Sequence, residues 1–140
     1  MASLNCPADA ERAFYAAFAS GNFAAMMSLW APLESIVCVH PLGPRLCGPE
    51  AIAASWRQIL TTDAPRNIEL DVKSTWQNGD LAVHTLDEVI SVPGRDVQFR
   101  PVIATNVYQC IDGFWFIVEH HASIDASEPP AGPAAGTTRH

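Results

Sequence analysis

Residues 67–76 (NIELDVKSTW), 80–92 (DLAVHTLDEVISV), 97–110 (VQFRPVIATNVYQC) and 114–124 (FWFIVEHHASI) decide the fold. They are rich in β-branched and aromatic side chains, and their character changes with a period of two, that of a strand. The segments between them, Asn78-Gly79-Asp80, Pro93-Gly94-Arg95-Asp96 and Asp112-Gly113, supply residues that tolerate positive φ. Neighbouring runs are therefore expected to pair as antiparallel hairpins in chain order. Pro101 cannot donate to a ladder, so it marks a bulge or an edge within the third run.

Upstream of these runs the period is helical. Residues 8–20 place Ala10, Phe14, Ala17 and Phe18 on one stripe, with Asp9 as the expected cap and Gly21 at the left-handed exit. Asn22 is expected to cap a short second helix with Phe23, Met26, Met27 and Trp30 on its apolar face, stopped by Pro32. A short strand over 35–40 (SIVCVH) leads into a turn-rich loop, and Pro49 opens a third helix running to Leu60. That helix turns Ile52, Trp56, Ile59 and Leu60 inward and Arg57 and Gln58 outward. Three helices followed by a curved antiparallel sheet make an α+β domain, with the helices on the concave face around a conical cavity. Residues 8–125 are read as this domain. Residues 126–140 (ASEPPAGPAAGTTRH), with no apolar side chain larger than proline, are expected to be a disordered tail.

The chain has 140 residues, 49% hydrophobic and 16% charged, enough for one core. Eight basic against 15 acidic side chains give a net charge of −7, which speaks against nucleic acid and anionic membranes as partners. No apolar run reaches the ~20 residues of a membrane helix, and the first residues lack a leader pattern, so a cytoplasmic chain is expected. Cys6, Cys38, Cys47 and Cys110 form no close pair, and reduced thiols are expected.

The segments at 14–32 (FYAAFASGNFAAMMSLWAP), 37–43 (VCVHPLG), 46–60 (LCGPEAIAASWRQIL), 104–110 (ATNVYQC) and 112–123 (DGFWFIVEHHAS) resemble the nuclear transport factor 2-like superfamily, SnoaL-like branch. The resemblance spans residues 9–125 and implies the cone-shaped α+β barrel. That superfamily holds both enzymes and non-catalytic modules, so fold alone names no reaction. Against its ketosteroid isomerase members, the matching positions here are Phe14 for the helix tyrosine, His40 before Pro41 for the base, and Thr105 or Asn106 for the late-strand acid. Against the kinase association domains, Asn106 and Ala122 stand where arginines would, and Asn106, Val118, His120 and Ala122 face the cavity.

Strict alternation puts Phe114, Phe116, Val118, His120 and Ala122 on one face of the last strand, with Trp115, Ile117, Glu119 and His121 on the other. The candidate site is then His40, His84, Glu88, Asn106 and His120, walled by Phe14, Phe18 and Trp56. Each histidine alone has a structural explanation as a hydrogen-bonded core residue, and only their convergence would point to chemistry. Two readings follow. One is a homodimer, joined through the outer sheet face, that binds a small apolar or carbonyl-containing molecule. The other is an enzyme that abstracts a proton from such a compound, as an isomerase, cyclase or dehydratase does. In it His40 is the base, Glu88 orients a histidine, and Asn106 and His120 donate to the oxyanion. Arg100 is a further candidate partner for Glu88. No cofactor is expected, and no metal, since the histidine spacing carries no metal signature.

Overall fold

The computed structural model describes residues 4–61, 66–94 and 101–127. Nine elements follow in order: α1 (Pro7–Ser20), α2 (Phe23–Ser28), β1 (Val37–Val39), β2 (Arg45–Cys47), α3 (Pro49–Leu60), β3 (Asn67–Asn78), β4 (Leu81–Ser91), β5 (Val102–Ile111) and β6 (Phe114–Ile124). The strands form one mixed sheet in the order β2-β1-β6-β5-β4-β3. β3 to β6 are the expected antiparallel meander, while β1 joins β6 in parallel. The segment after Pro41, expected as loop throughout, contains β2, which pairs back on β1.

Local chemistry explains the boundaries. Pro7 opens α1, where its missing N–H costs nothing, and Cys6 rather than Asp9 is the N-cap residue. Asp9 lies within the first turn, accepting from the Asn5 amide and pairing with Arg12. Gly21 ends α1 at φ 71°, and the Asn22 amide reaches back to the Ala17 carbonyl at 3.0 Å. The Asn22 side chain then caps α2 by accepting from the Ala25 amide. Asp112 and Gly113 both have positive φ, as the two-residue turn between β5 and β6 requires. Pro101 immediately precedes β5 and accepts from the Asp125 amide, so it interrupts no ladder among the described residues. Arg100 and most of the expected tail lie outside the described residues, as does half of the turn at 93–96.

The last strand departs from simple alternation. Its pairing with β5 jumps from Val107↔Glu119 to Tyr108↔Ile117, leaving Val118 as the extra residue of a β-bulge. Parity therefore inverts along β6. Trp115 and Ile117 are buried below the bulge and His120 and Ala122 above it, while Phe114 is 53% exposed. The single alternating face expected from sequence is correct only for the upper half, which holds His120. A second bulge at Lys73 interrupts β3.

The inner sheet face carries Ala82, His84, Leu86 and Glu88 on β4 and Ala104, Asn106 and Tyr108 on β5, all buried. Over it lie Phe14 of α1, Met26 of α2, and Ile52 and Trp56 of α3, closing an apolar core around the polar side chains. No described helix is long and apolar enough to cross a membrane.

Candidate functional site

His40 leaves the end of β1 half-buried and meets α3. Its Nε2 lies 3.0 Å from the Ser55 hydroxyl and 3.6 Å from the Cys38 sulfur. Its ring stands edge-on to Trp56 at 4.9 Å, and Trp56 is itself edge-on to Phe14 and Phe18. His120 completes this wall, 5.0 Å from the Phe14 ring and 6.3 Å from that of His40. The Trp56 indole N–H is buried without a hydrogen-bond partner among the described residues.

Behind the aromatic wall runs a buried polar chain. His120 Nδ1 lies 2.6 Å from Asn106 Oδ1, the Asn106 amide donates to the Tyr15 hydroxyl at 3.0 Å, and Tyr15 donates to Glu88 Oε2 at 2.5 Å. Because Asn106 Oδ1 only accepts, the His120 proton sits on Nδ1, and the lone pair is on Nε2, 4.0 Å from Glu88.

Burial sets the charge states. It pushes the Glu88 carboxyl up to about 7, against a smaller opposing pull from the Tyr15 hydrogen bond. It drives His120 down to about 3, helped by His40 and His121, and lowers His40 as well. The Tyr15 hydroxyl is held well above its usual range by burial and by the neighbouring Glu88 charge. At neutral pH the site thus holds two neutral imidazoles beside a carboxyl near its midpoint, a set suited to moving protons.

His84 bonds to a different partner. It lies directly across from Asn106 in the register of β4 and β5, four residues from Glu88 along its own strand, about 13 Å at the strand rise, and its Nδ1 lies 2.8 Å from Glu11 Oε1 of α1. The Tyr108 hydroxyl donates to the same oxygen at 3.3 Å. A cleft of about 310 Å3 opens beside it, lined by Cys6, Pro7, Ala8 and residues 75–77. A larger groove of about 590 Å3, between α1, α2 and the start of β6, is lined by neither histidine group. No set of three or more His, Cys, Asp or Glu side chains among the described residues could hold a metal.

The sequence profile of the SnoaL-like domain family matches residues 8–127. The chain belongs to this family. Among solved structures this SnoaL-like domain is similar to a protein from Thiobacillus denitrificans, provisionally described as a calcium/calmodulin-dependent protein kinase type II association domain. The two are 31% identical with a TM-score of 0.83, over 88% of this chain and 98% of that one. It is also similar to a Streptomyces avermitilis protein of the NTF2-like family, provisionally described as a dehydratase. Here identity is 31% and the TM-score 0.75, over 84% and 92% of the two chains. The F-box protein SKIP8 of Arabidopsis thaliana is 26% identical over 100 residues, 71% of this chain and 41% of that protein. The chain thus spans about two fifths of that relative.

Of the residues expected at the site of this SnoaL-like domain, the structure gathers His40, Glu88, Asn106 and His120 with Phe14, Phe18 and Trp56, and places His84 on the same inner face opposite Asn106 with its ring bonded to Glu11. Sequence reasoning missed Tyr15, Glu11, Tyr108 and Ser55. Phe14 lacks a hydroxyl, but the next residue supplies one inside the fold. The signal was available: Glu11 and Tyr15 are i,i+4 neighbours flanking the apolar stripe, so a wider inward face of α1 buries both.

Proposed function

We propose that this SnoaL-like domain binds a small, mostly apolar carbonyl compound against His40, Trp56 and Phe14 and moves a proton on it. The observation that carries this reading is the buried His120–Asn106–Tyr15–Glu88 chain ending beside a neutral, half-buried His40. His40 takes the proton from the carbon next to the carbonyl. The electron pair moves onto oxygen as an enolate, and the protonated Glu88 carboxyl donates to that oxygen. Asn106 and His120, whose hydrogen bonds run to each other and to Tyr15, hold Glu88 in place rather than serving as the oxyanion donors. The dehydratase description of the Streptomyces avermitilis relative supports acid–base chemistry.

A homodimer through the outer sheet face is part of this proposal. Trp76, Leu81, Val89 and Ile103 expose apolar surface there, and the Thiobacillus denitrificans relative is described as an association domain. That likeness also supports a second reading, in which the dimer binds a metabolite without turnover. The free thiols Cys6, Cys38, Cys47 and Cys110 support a reducing, cytoplasmic setting. The net charge of −7 argues against nucleic acid or an anionic membrane as partner.

The test is exchange of α-hydrogens of small cyclic ketones for deuterium in D2O, followed by proton NMR. Wild-type protein should exchange them faster than buffer, and folded His40→Ala should not. Equal rates for wild type, His40→Ala and buffer would leave the binding reading. Native mass spectrometry of protein purified without added ligand then reports the dimer and any bound organic molecule.

A further inference from the structure

The His40 ring has two nitrogens, and only the one without a hydrogen can take a proton from substrate. Which one that is follows from the neighbours of Nε2. Ser55, on the half-buried side of α3, lies within hydrogen-bond distance of two groups: the Ile52 carbonyl oxygen at 2.8 Å and His40 Nε2 at 3.0 Å. A carbonyl oxygen only accepts, so the single hydroxyl hydrogen of Ser55 is committed to Ile52 by the back-bond common to serine within helices. What Ser55 presents to His40 is a lone pair, and the 3.0 Å contact therefore takes its hydrogen from Nε2. The Cys38 sulfur, 3.6 Å from the same nitrogen, is a second, weak acceptor in the same direction.

We infer that Ser55 is a positioning residue that holds His40 in its Nε2–H tautomer, making Nδ1 the nitrogen that accepts the substrate proton. The inference rests on the proton-transfer reading above and adds the direction of attack. Nδ1 is the ring atom nearer the main chain, where the turn from His40 to Gly43 folds back and the Gly43 amide donates to the His40 carbonyl at 2.8 Å. A β-carbon on Gly43 would stand 3.1 Å from that carbonyl oxygen, a contact the turn would have to ease by a few tenths of an ångström. The acidic C–H of the substrate is then met by Nδ1 and not by the nitrogen bonded to Ser55.

The two histidines of the site are then held in opposite tautomers by neutral partners. Ser55 takes the hydrogen of His40 Nε2, and Asn106 takes that of His120 Nδ1. Neither uses a carboxylate for the purpose, which leaves Glu88 free to be the acid.

The experiment reads the tautomer directly, by long-range proton–nitrogen correlation spectra of the histidine rings in uniformly 15N-labelled full-length protein. His40 is assigned by its absence in His40→Gln. Wild-type His40 should show a protonated Nε2 and an unprotonated Nδ1. In Ser55→Ala the two nitrogen shifts should move toward each other as the second tautomer becomes populated, and Ser55→Thr and Cys38→Ala should retain the wild-type pattern. Ketone exchange should fall about tenfold in Ser55→Ala, the worth of one lost hydrogen bond, and recover in Ser55→Thr. A wild-type His40 protonated on Nδ1, or a folded Ser55→Ala with an unchanged pattern, would overturn the inference. Loss of the pattern in Cys38→Ala alone would overturn it too, by assigning the role to the thiol. The two readings fail separately: a Ser55-dependent tautomer without ketone exchange removes the proton-transfer reading, and exchange with a Ser55-independent tautomer removes this one.

Discussion

At His84 a carboxylate touches the ring, 2.8 Å from Glu11, whereas at His120 the nearest carboxyl, Glu88, lies 4.0 Å away with Tyr15 and Asn106 bonded between them. Both neighbourhoods are buried on one sheet face under α1, yet their polar groups are satisfied differently. Glu11 collects His84 and Tyr108 on one oxygen, and the cluster closes on itself. Glu88 has one donor among the described residues, Tyr15, and burial keeps it near its midpoint at neutrality. The difference separates a pair that ties α1 to the sheet from a chain that keeps a proton available.

Removing the carboxylate should have its largest effect at the first cluster. Glu11→Ala strands His84 and Tyr108 without their shared acceptor, and the loss should be about 3 kcal/mol, the scale for leaving buried polar groups unsatisfied. Chemical denaturation measures it. A cost below about 1 kcal/mol would mean water entering from the adjoining cleft replaces the carboxylate, and the two clusters would then not differ in kind.

Glu88→Gln should behave in the opposite way and depend on pH. The folded-state pKa of Glu88 is raised from 4.5 to about 7, so between those values the folded chain binds more protons than the unfolded one. Stability from this group is therefore lost as pH rises through that window, by about 3 kcal/mol at most. His120, held near 3 from an ordinary 6.5, acts in the other direction: its contribution is lost as pH falls from 6.5 toward 3. Glutamine still accepts from Tyr15 but cannot ionise. The variant should match or fall slightly below wild type at pH 4.5 and exceed it at pH 8, keeping the rising limb to which His120 and His40 contribute. Denaturation midpoints at several pH values decide it, and parallel profiles for the two proteins would place the Glu88 carboxyl in its ordinary range.

How much of this could be read from sequence varies with the kind of pattern. The meander was legible because strand period and the turns at Gly79 and Gly113 act locally, and the inward placement of His84, Glu88, Asn106 and His120 followed from parity and the family resemblance. The inversion along β6 was not legible, because one extra residue at Val118 shifts the register and nothing in FWFIVEHHASI marks which residue is skipped. Tyr15 was hidden for another reason. Its ring is amphipathic, and a stripe defined by apolar residues alone counts Phe14 as the inward residue while both rings are in fact buried, 4.9 Å apart. Pairings over long sequence separation, Glu11 with His84 or Tyr15 with Glu88, depend on where α1 crosses the sheet, which no local pattern fixes.

The finest probe of the comparison is the pair of buried tyrosines, because each can lose its hydroxyl with little change in shape. Tyr15→Phe removes the one donor to Glu88 among the described residues and the acceptor for the Asn106 amide, leaving two buried groups unpaired at a cost of about 2 kcal/mol. It should also raise the Glu88 pKa further, since the Tyr15 hydrogen bond is what opposes the effect of burial there. Tyr108→Phe removes a longer bond, 3.3 Å, to an oxygen that His84 still engages at 2.8 Å, so its cost should stay below about 1 kcal/mol. The ordering matters more than either value. Equal losses would mean that the Glu88 chain is as self-sufficient as the Glu11 pair, whereas the predicted inequality follows because one hydroxyl holds a chain together and the other supplements a pair already made.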